Sequence, residues 1–253
     1  MSSLDSSDLT IATAILSGVF ILSFFSGMLG LGAAFATIPY LSLFMSDIVH
    51  EVQPVALLLN GFTAAFSAYG FSRSGLVRWR DAIILAVTTT ASAPAGAVLV
   101  HYIPSIYVWI IYFVAVLYLA YRLFRPVKKI GGKPDLRLAI LLAIPISVLA
   151  GFLGVGPGFL LMPTLILLGY EPKLAAGINA VAVCPPSFSA FAPHIYTMKI
   201  SAIMTIYIVA IGSIAAYIGA RVTARFIPGD LLKKIFGMLI VFMTAYRLVR
   251  FFI

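Results

Sequence analysis

The chain has 253 residues, 62% hydrophobic and only 10% charged, with a mean hydropathy of +1.10 and a net charge of +9. A soluble domain carries about 25% charged residues, so this composition excludes a water-soluble globule and points to an integral membrane protein. The basic residues sit at the ends of apolar runs, which marks membrane orientation rather than nucleic-acid binding, and a lone cysteine, Cys184, excludes a disulfide framework.

Along the chain, Met1 to Asp8 is serine-rich and acidic, unlike the basic start of a signal peptide, so the first apolar segment is expected to be retained. Apolar segments follow at 9–26, 31–46, 52–71, 82–100, 104–124, 138–154, 157–170, 174–195, 200–221 and 229–250. A spanning helix needs roughly 20 apolar residues. No Asp, Glu, Lys or Arg lies between Asp8 and Asp47, Glu51 and Arg73, Arg137 and Glu171, or Lys199 and Arg221. The most hydrophilic interior stretch runs from Arg122 to Arg137 and reads as a basic cytoplasmic linker, 125–136, between a first membrane repeat, 1–124, and a second, 137–253. The expected fold is an all-α, internally duplicated helical membrane bundle with helices broken at a glycine motif in each half.

The duplication rests on ordered matches. Gly27-Met-Leu-Gly30-Leu-Gly32-Ala33-Ala34-Phe35 through Pro39 recurs 124 positions later as Gly151-Phe-Leu-Gly154-Val-Gly156-Pro157-Gly158-Phe159 through Pro163, with six of thirteen positions identical. Asn60 and Phe66-Ser67-Ala68-Tyr69 pair with Asn179 and Phe188-Ser189-Ala190-Phe191, and Gly96 pairs with Gly219. Ala120 to Arg125 pairs with Ala245 to Arg250. Five crossings per half make the halves inverted, with fourteen Lys and Arg inside against three outside. A single re-entrant crossing at each glycine motif makes them parallel, with twelve against five. Both obey the positive-inside rule, and inversion is favoured.

All eight acids lie outside the apolar runs or at their edges, and His50, His101 and His194 are scattered. Carboxylate-based proton or metal coordination is therefore disfavoured, and neither a metal, a cofactor nor an enzymatic activity is expected. An anion needs no carboxylate. It needs N–H groups and positive potential, which helix N-termini supply. A helix broken near Gly30–Gly32 and restarting at Ala33 or Ala34, or broken at Gly154–Gly156 and restarting at Pro157 and Gly158, offers such donors at mid-membrane. Close helix packing by small residues is the competing reading, and the shared proline seven residues after the third glycine favours the broken helix. Asn60 and Asn179 either donate to the anion or brace neighbouring helices. Ser67, Ser187 and Ser189 are candidates whose ordinary behaviour is to bond their own helix. His194 reads as a surface anchor, and Cys184 as a small buried residue.

The run Gly-x-x-Gly-x-Gly-x-Gly-Phe-x-x-x-Pro at 151–163, followed by Gly169-Tyr170-Glu171-Pro172-Lys173-Leu174-Ala175-Ala176-Gly177-Ile178-Asn179-Ala180, resembles the TauE/SafE family of sulfite and organosulfonate exporters. The likeness spans essentially the whole chain. Pro157 stands where the family commonly has glycine, Ala33-Ala34 fills the equivalent place, and Ile178-Asn179 replaces a common threonine-serine pair. The resemblance implies a multi-pass permease of a prokaryotic plasma membrane, exporting sulfite, sulfoacetate or a related sulfonate, or thiosulfate. Its partners would be that anion and the lipid bilayer, with a homo-oligomer left open. An anion channel or a non-transporting accessory subunit are the other readings.

Overall fold

In hydrocarbon a backbone must satisfy its own polar groups, and every regular element among the described residues is helical. The computed structural model describes residues 6–99, 134–153, 156–196, 198–235 and 237–238, together with 114 and 121. The apolar segment at 104–124 and the Ala120/Ala245 match fall largely outside them. The helices are α1 (Ser6–Leu29), α2 (Ala34–Leu41), α3 (Gln53–Ser72), α4 (Trp79–Leu99), α5 (Leu136–Leu153), α6 (Gly158–Leu167), α7 (Pro172–Phe191) and α8 (Ala202–Phe226). A π-helical turn, Ile48–Val52, leads into α3, and a 3₁₀ turn, Ala192–Tyr196, follows α7. Residues 229–235 are helical again.

Thr10–Leu29, His50–Ser72, Pro172–Phe191 and Ala202–Phe226 are long and apolar enough to cross a membrane. The segments expected at 31–46 and 157–170 form helices of only 8 and 10 residues. At 1.5 Å per residue these are roughly 12–15 Å long, half of a hydrocarbon core of about 30 Å.

Contacts fix the directions. Val19 and Ser23 lie against Gly212, Gly27 against Ala216, and Phe24 and Met28 against Gly219, so α1 runs parallel to α8. In the other pair Ser147 donates to the Thr89 carbonyl at 2.6 Å and Gly151 abuts Ala93, so α5 runs parallel to α4. Helices α3 and α7 are antiparallel, with Asn60 facing Ser187 and Phe71 facing Gly177. Short α2 doubles back along α1, because Ser26 Oγ bonds the Gly32 carbonyl at one end and the Tyr40 hydroxyl bonds the Ala14 carbonyl, 2.5 Å, at the other.

One end of the bundle is basic. Arg221 donates to Ser74 Oγ at 2.8 Å and Lys173 to the Ala224 carbonyl at 3.2 Å, tying the end of α8 to the α3–α4 connection and the start of α7. Arg73, Arg78, Arg80, Arg137 and Arg225 flank the same ends, while Lys199 lies at the opposite one. There Asp47 accepts from the His50 backbone N–H, 2.9 Å, from its ring, and from Lys199, 3.5 Å. The backbone bond, foremost, holds the Asp47 carboxyl down to about 2.

Among the described residues several prolines lie inside helices: Pro39 in α2, Pro94 in α4, Pro145 in α5, Pro163 in α6, and Pro185 and Pro186 in α7. Neighbouring helices and hydroxyl side chains can satisfy the backbone groups that proline frees in a membrane bundle.

The seam between α1 and α8 is set by backbone contact, since a Cβ on Gly219 would fall 2.1 Å from the Phe24 carbonyl oxygen. Gly219→Val should therefore force the helices apart at a cost of about 1–3 kcal/mol or more. A lower thermal-unfolding midpoint of the purified protein is the expected outcome; an unchanged midpoint would show the seam to be dispensable.

Candidate functional site

The two glycine turns meet at the centre of the bundle. The first leaves α1 through Gly30, at φ +63°, and Gly32, at φ +74°, a left-handed region that only glycine enters cheaply. It is also crowded: a Cβ on Gly30 would lie 2.0 Å from the Ala176 carbonyl oxygen, and one on Gly32 2.3 Å from Asn60 Oδ1. Both contacts fall well inside α7 and α3, so this tip lies deep between them. The second tip closes on the first. A Cβ on Gly158 would stand 2.6 Å from the Leu31 carbonyl oxygen, and the Phe35 and Phe159 rings stack at 3.9 Å and 15°. These two phenylalanines hold the same place in the two glycine motifs.

Polar side chains of α3 and α7 bind the tips. The Ala34 N–H donates to Asn60 Oδ1 at 2.8 Å and the Ala33 N–H to Thr63 Oγ1 at 3.1 Å. Asn60 Nδ2 donates in turn to Ser187 Oγ, 2.7 Å, and Ser187 donates to the Val183 carbonyl, 2.6 Å. Asn179 Nδ2 reaches both tips, donating to the Gly30 carbonyl at 2.7 Å and the Gly158 carbonyl at 3.2 Å. Its Oδ1 is buried without a hydrogen-bond partner. The donors that the sequence assigns to a ligand at Ala33 and Ala34 are thus held by α3 in this conformation. Asn60 and Asn179 brace the tips.

The two tips are chemically different. Three residues after Asn60 stands Thr63, whose hydroxyl takes the Ala33 N–H; three residues after Asn179 stands Ala182, fully buried. Pro157, the counterpart of Ala33, has no N–H to satisfy. Donor and acceptor are missing together. Beside this second tip lies a small cavity of about 50 Å³, lined by Gly151, Gly156, Pro157 and Ser187, with Leu57 from α3 and Ala93 from α4. The start of α6 brings partial positive charge to it, and its lining carries no carboxylate.

The remaining candidates lie apart from it. Ser67 donates to the Thr63 carbonyl, 2.7 Å, and Ser189 to the Pro186 carbonyl, 3.0 Å, each within its own helix. Gly154 falls outside the described residues. His194 sits in the 3₁₀ turn after α7, where burial lowers its pKa. Thr63 and Ser26 are polar contacts that the sequence analysis did not single out. The Asn60–Thr63 spacing alone does not mark Thr63, because a threonine in an apolar helix ordinarily bonds its own backbone. Asp81, placed by sequence at the edge of a segment, is buried at the basic end. It accepts from the Tyr170 hydroxyl, 2.9 Å, and pairs with Arg78, 3.2 Å. Burial and then this bond push the Tyr170 phenol up. Among the described residues no three His, Cys, Asp or Glu side chains gather as metal ligands do.

Thr63→Val removes the cap on the Ala33 N–H while keeping the side chain's shape, and should cost about 1–3 kcal/mol for an unsatisfied buried donor. Thr63→Ser should restore most of that stability. Equal unfolding midpoints for the valine and serine variants would mean that the hydroxyl does not hold the tip.

Residues 14–247 match the family model described as sulfite exporter TauE/SafE. A relative in Bacillus subtilis (strain 168), named probable membrane transporter protein YdhB, is 22% identical over 225 residues, covering 85% of this chain and 91% of its own length. No solved structure gives a significant match. A match over nearly the whole chain, on a bundle of apolar helices meeting at two glycine turns, places this protein in the TauE/SafE sulfite exporter family of membrane transporters.

Proposed function

We propose that the protein is a permease for a small sulfur-containing anion such as sulfite, sulfoacetate or another sulfonate, or thiosulfate, and that the anion binds at the second glycine tip. The observation that carries this reading is the neutral cavity of about 50 Å³ between Gly156, Pro157 and Ser187 at the start of α6. Its size suits a small oxyanion, and the helix start supplies the positive end of a dipole. Ser187 can turn its hydroxyl from the Val183 carbonyl toward the anion while Asn60 Nδ2 continues to donate to its oxygen. Gly156 and Gly158 let the backbone approach. Gly30, Gly32, Ala33 and Ala34 form the opposing tip, with Asn60 and Asn179 between the two, and Ser67 and Ser189 in the helices behind.

On this reading the halves 1–124 and 137–253 are inverted repeats joined by the basic linker 125–136, and transport is export by alternating access, one repeat rocking against the other. The paired packing of α1 on α8 and α5 on α4, the antiparallel α3 and α7, and the Phe35–Phe159 stack support it. The concentration of arginine and lysine at one end supports a cytoplasmic face there, in what we take to be a prokaryotic plasma membrane.

A thermal-shift screen of the purified protein against sulfite, sulfoacetate, taurine, thiosulfate and sulfate tests the substrate class, since a ligand that binds only the folded state raises its stability. At least one sulfur anion should raise the midpoint of the parent protein and leave Gly156→Leu unmoved. No shift with any of the five would sink the proposal. Saturable uptake into proteoliposomes, accelerated by anion on the opposite side, is expected of a carrier, and single-channel currents would reassign it as a channel. Single cysteines placed at Phe252 and in the linker should react with an impermeant thiol reagent from opposite sides if the halves are inverted, and from the same side if they are parallel.

A further inference from the structure

A second, larger cavity of about 670 Å³ opens at the basic end, lined by Arg78, Arg80 and Asp81 at the start of α4 and by Asp135 and Arg137 at the start of α5. Its charges are unequally engaged. Asp81 accepts from the Tyr170 hydroxyl and pairs with Arg78, which also lies over the Tyr170 ring at 5.6 Å. Asp135 Oδ1 accepts the Leu138 N–H, 3.1 Å, and so caps α5. Arg80 and Arg137 are exposed and have no ion-pair partner among the described residues. Two helix N-termini add their positive ends to the same mouth. What remains free in this cavity is positive charge on planar guanidinium groups, the chemistry that grips an oxyanion through two parallel hydrogen bonds.

The placement of this mouth is as informative as its charge. Helices α4 and α5 run side by side from it to the central cavity, where Ala93 and Gly151 form part of the wall. From Asp81 to Ala93 along α4 is roughly 18 Å. About two-thirds of the way along, the seam is shut by the Ser147 hydroxyl on the Thr89 carbonyl, 2.6 Å, and by Thr89 Oγ1 on the Ala182 carbonyl, 2.9 Å. We infer that the Arg80–Arg137 cavity is a capture site for the transported oxyanion, the mouth of a path along the α4–α5 seam that is closed at Thr89 in this conformation. This rests on the permease reading above. A phospholipid headgroup offers the same oxyanion chemistry, but the position at the head of a seam leading to the central cavity favours the small anion.

Trp79 stands between Arg78 and Arg80 in the chain, and its exposed ring lines the neighbouring groove with Tyr69 and Val181. As the residue next to both arginines it gives a probe of their local field that does not depend on transport. The chain has two tryptophans, so Trp109→Phe leaves Trp79 as the only emitter. In the full-length protein in neutral-lipid nanodiscs, iodide should quench Trp79 more strongly than neutral acrylamide does, and added sulfite should compete with it. In the Arg80→Gln/Arg137→Gln variant the iodide advantage should fall about threefold and the sulfite effect should vanish. In proteoliposomes the same variant should raise the KM for sulfite about fivefold at unchanged maximal rate, and the KM of the parent should climb with salt while that of the variant stays flat. Unchanged iodide quenching, or an unchanged KM, overturns the capture site. So does an effect that appears only when phosphatidylglycerol is present, which would assign the arginines to lipid. A parent protein that transports no tested anion yet shows sulfite protection of Trp79 keeps the capture site and removes the permease reading. Normal transport without protection does the reverse.

Discussion

Unpaired backbone groups are not tolerated in the interior of a bilayer, and much of this structure follows from that constraint. A chain that interrupts its helices at mid-depth exposes N–H and carbonyl groups where no water is available. Here the interruption is admitted only where other side chains complete it: Asn60 and Thr63 for the N–H groups of Ala33 and Ala34, Asn179 and Ser26 for the carbonyls of Gly30 and Gly32. The polar residues buried in α3 and α7 are therefore set by the tips rather than by those helices themselves. Asn60 and Asn179 lie within 1% of full burial, a position that an amide occupies only when it has partners.

The tips are also where near-symmetry stops. Each glycine motif packs by equivalent contacts, Gly27 on Ala216 and Gly151 on Ala93, and the matched phenylalanines stack face to face. The capping chemistry then diverges. On one side Ala33 presents an N–H and Thr63 receives it; on the other Pro157 and Ala182 have neither group. One cap is filled and the other is empty with a cavity beside it, and it is at the empty one that the anion is proposed to bind. Asn179 Oδ1, without a hydrogen-bond partner, belongs to the same imbalance.

Much of the architecture was legible in the sequence because hydrocarbon thickness dictates segment length. The segments read at 52–71, 174–195 and 200–221 correspond to α3, α7 and α8 within a few residues. The apolar segments at 31–46 and 157–170 extend past their helices, which stop at Leu41 and Leu167, because apolar composition does not distinguish a half-helix from the connection that continues it. Gly30, Gly32, Gly156 and Asn60 could be singled out because polar or conformationally special residues are rare in apolar runs. Thr63, Ala182 and Ser26 could not, since a threonine, alanine or serine in a membrane helix ordinarily serves its own backbone or merely packs. Only the meeting of α2 with α3 gives Thr63 its role. The basic mouth was equally hidden, because Arg80 and Arg137 lie far apart in the chain and become neighbours only through the pairing of α4 with α5.

The pairing of α1 with α8 has a consequence for biogenesis. Ser6–Leu29 leaves the ribosome long before Ala202–Phe226, against which it packs. Until then Gly27 has no Ala216 to lie on, and Asn179 is not yet present to donate to the Gly30 carbonyl. Contacts so distant along the chain are slow to close. The α1–α2 hairpin must therefore wait in the membrane, with part of its backbone unsatisfied, until α7 and α8 have been made.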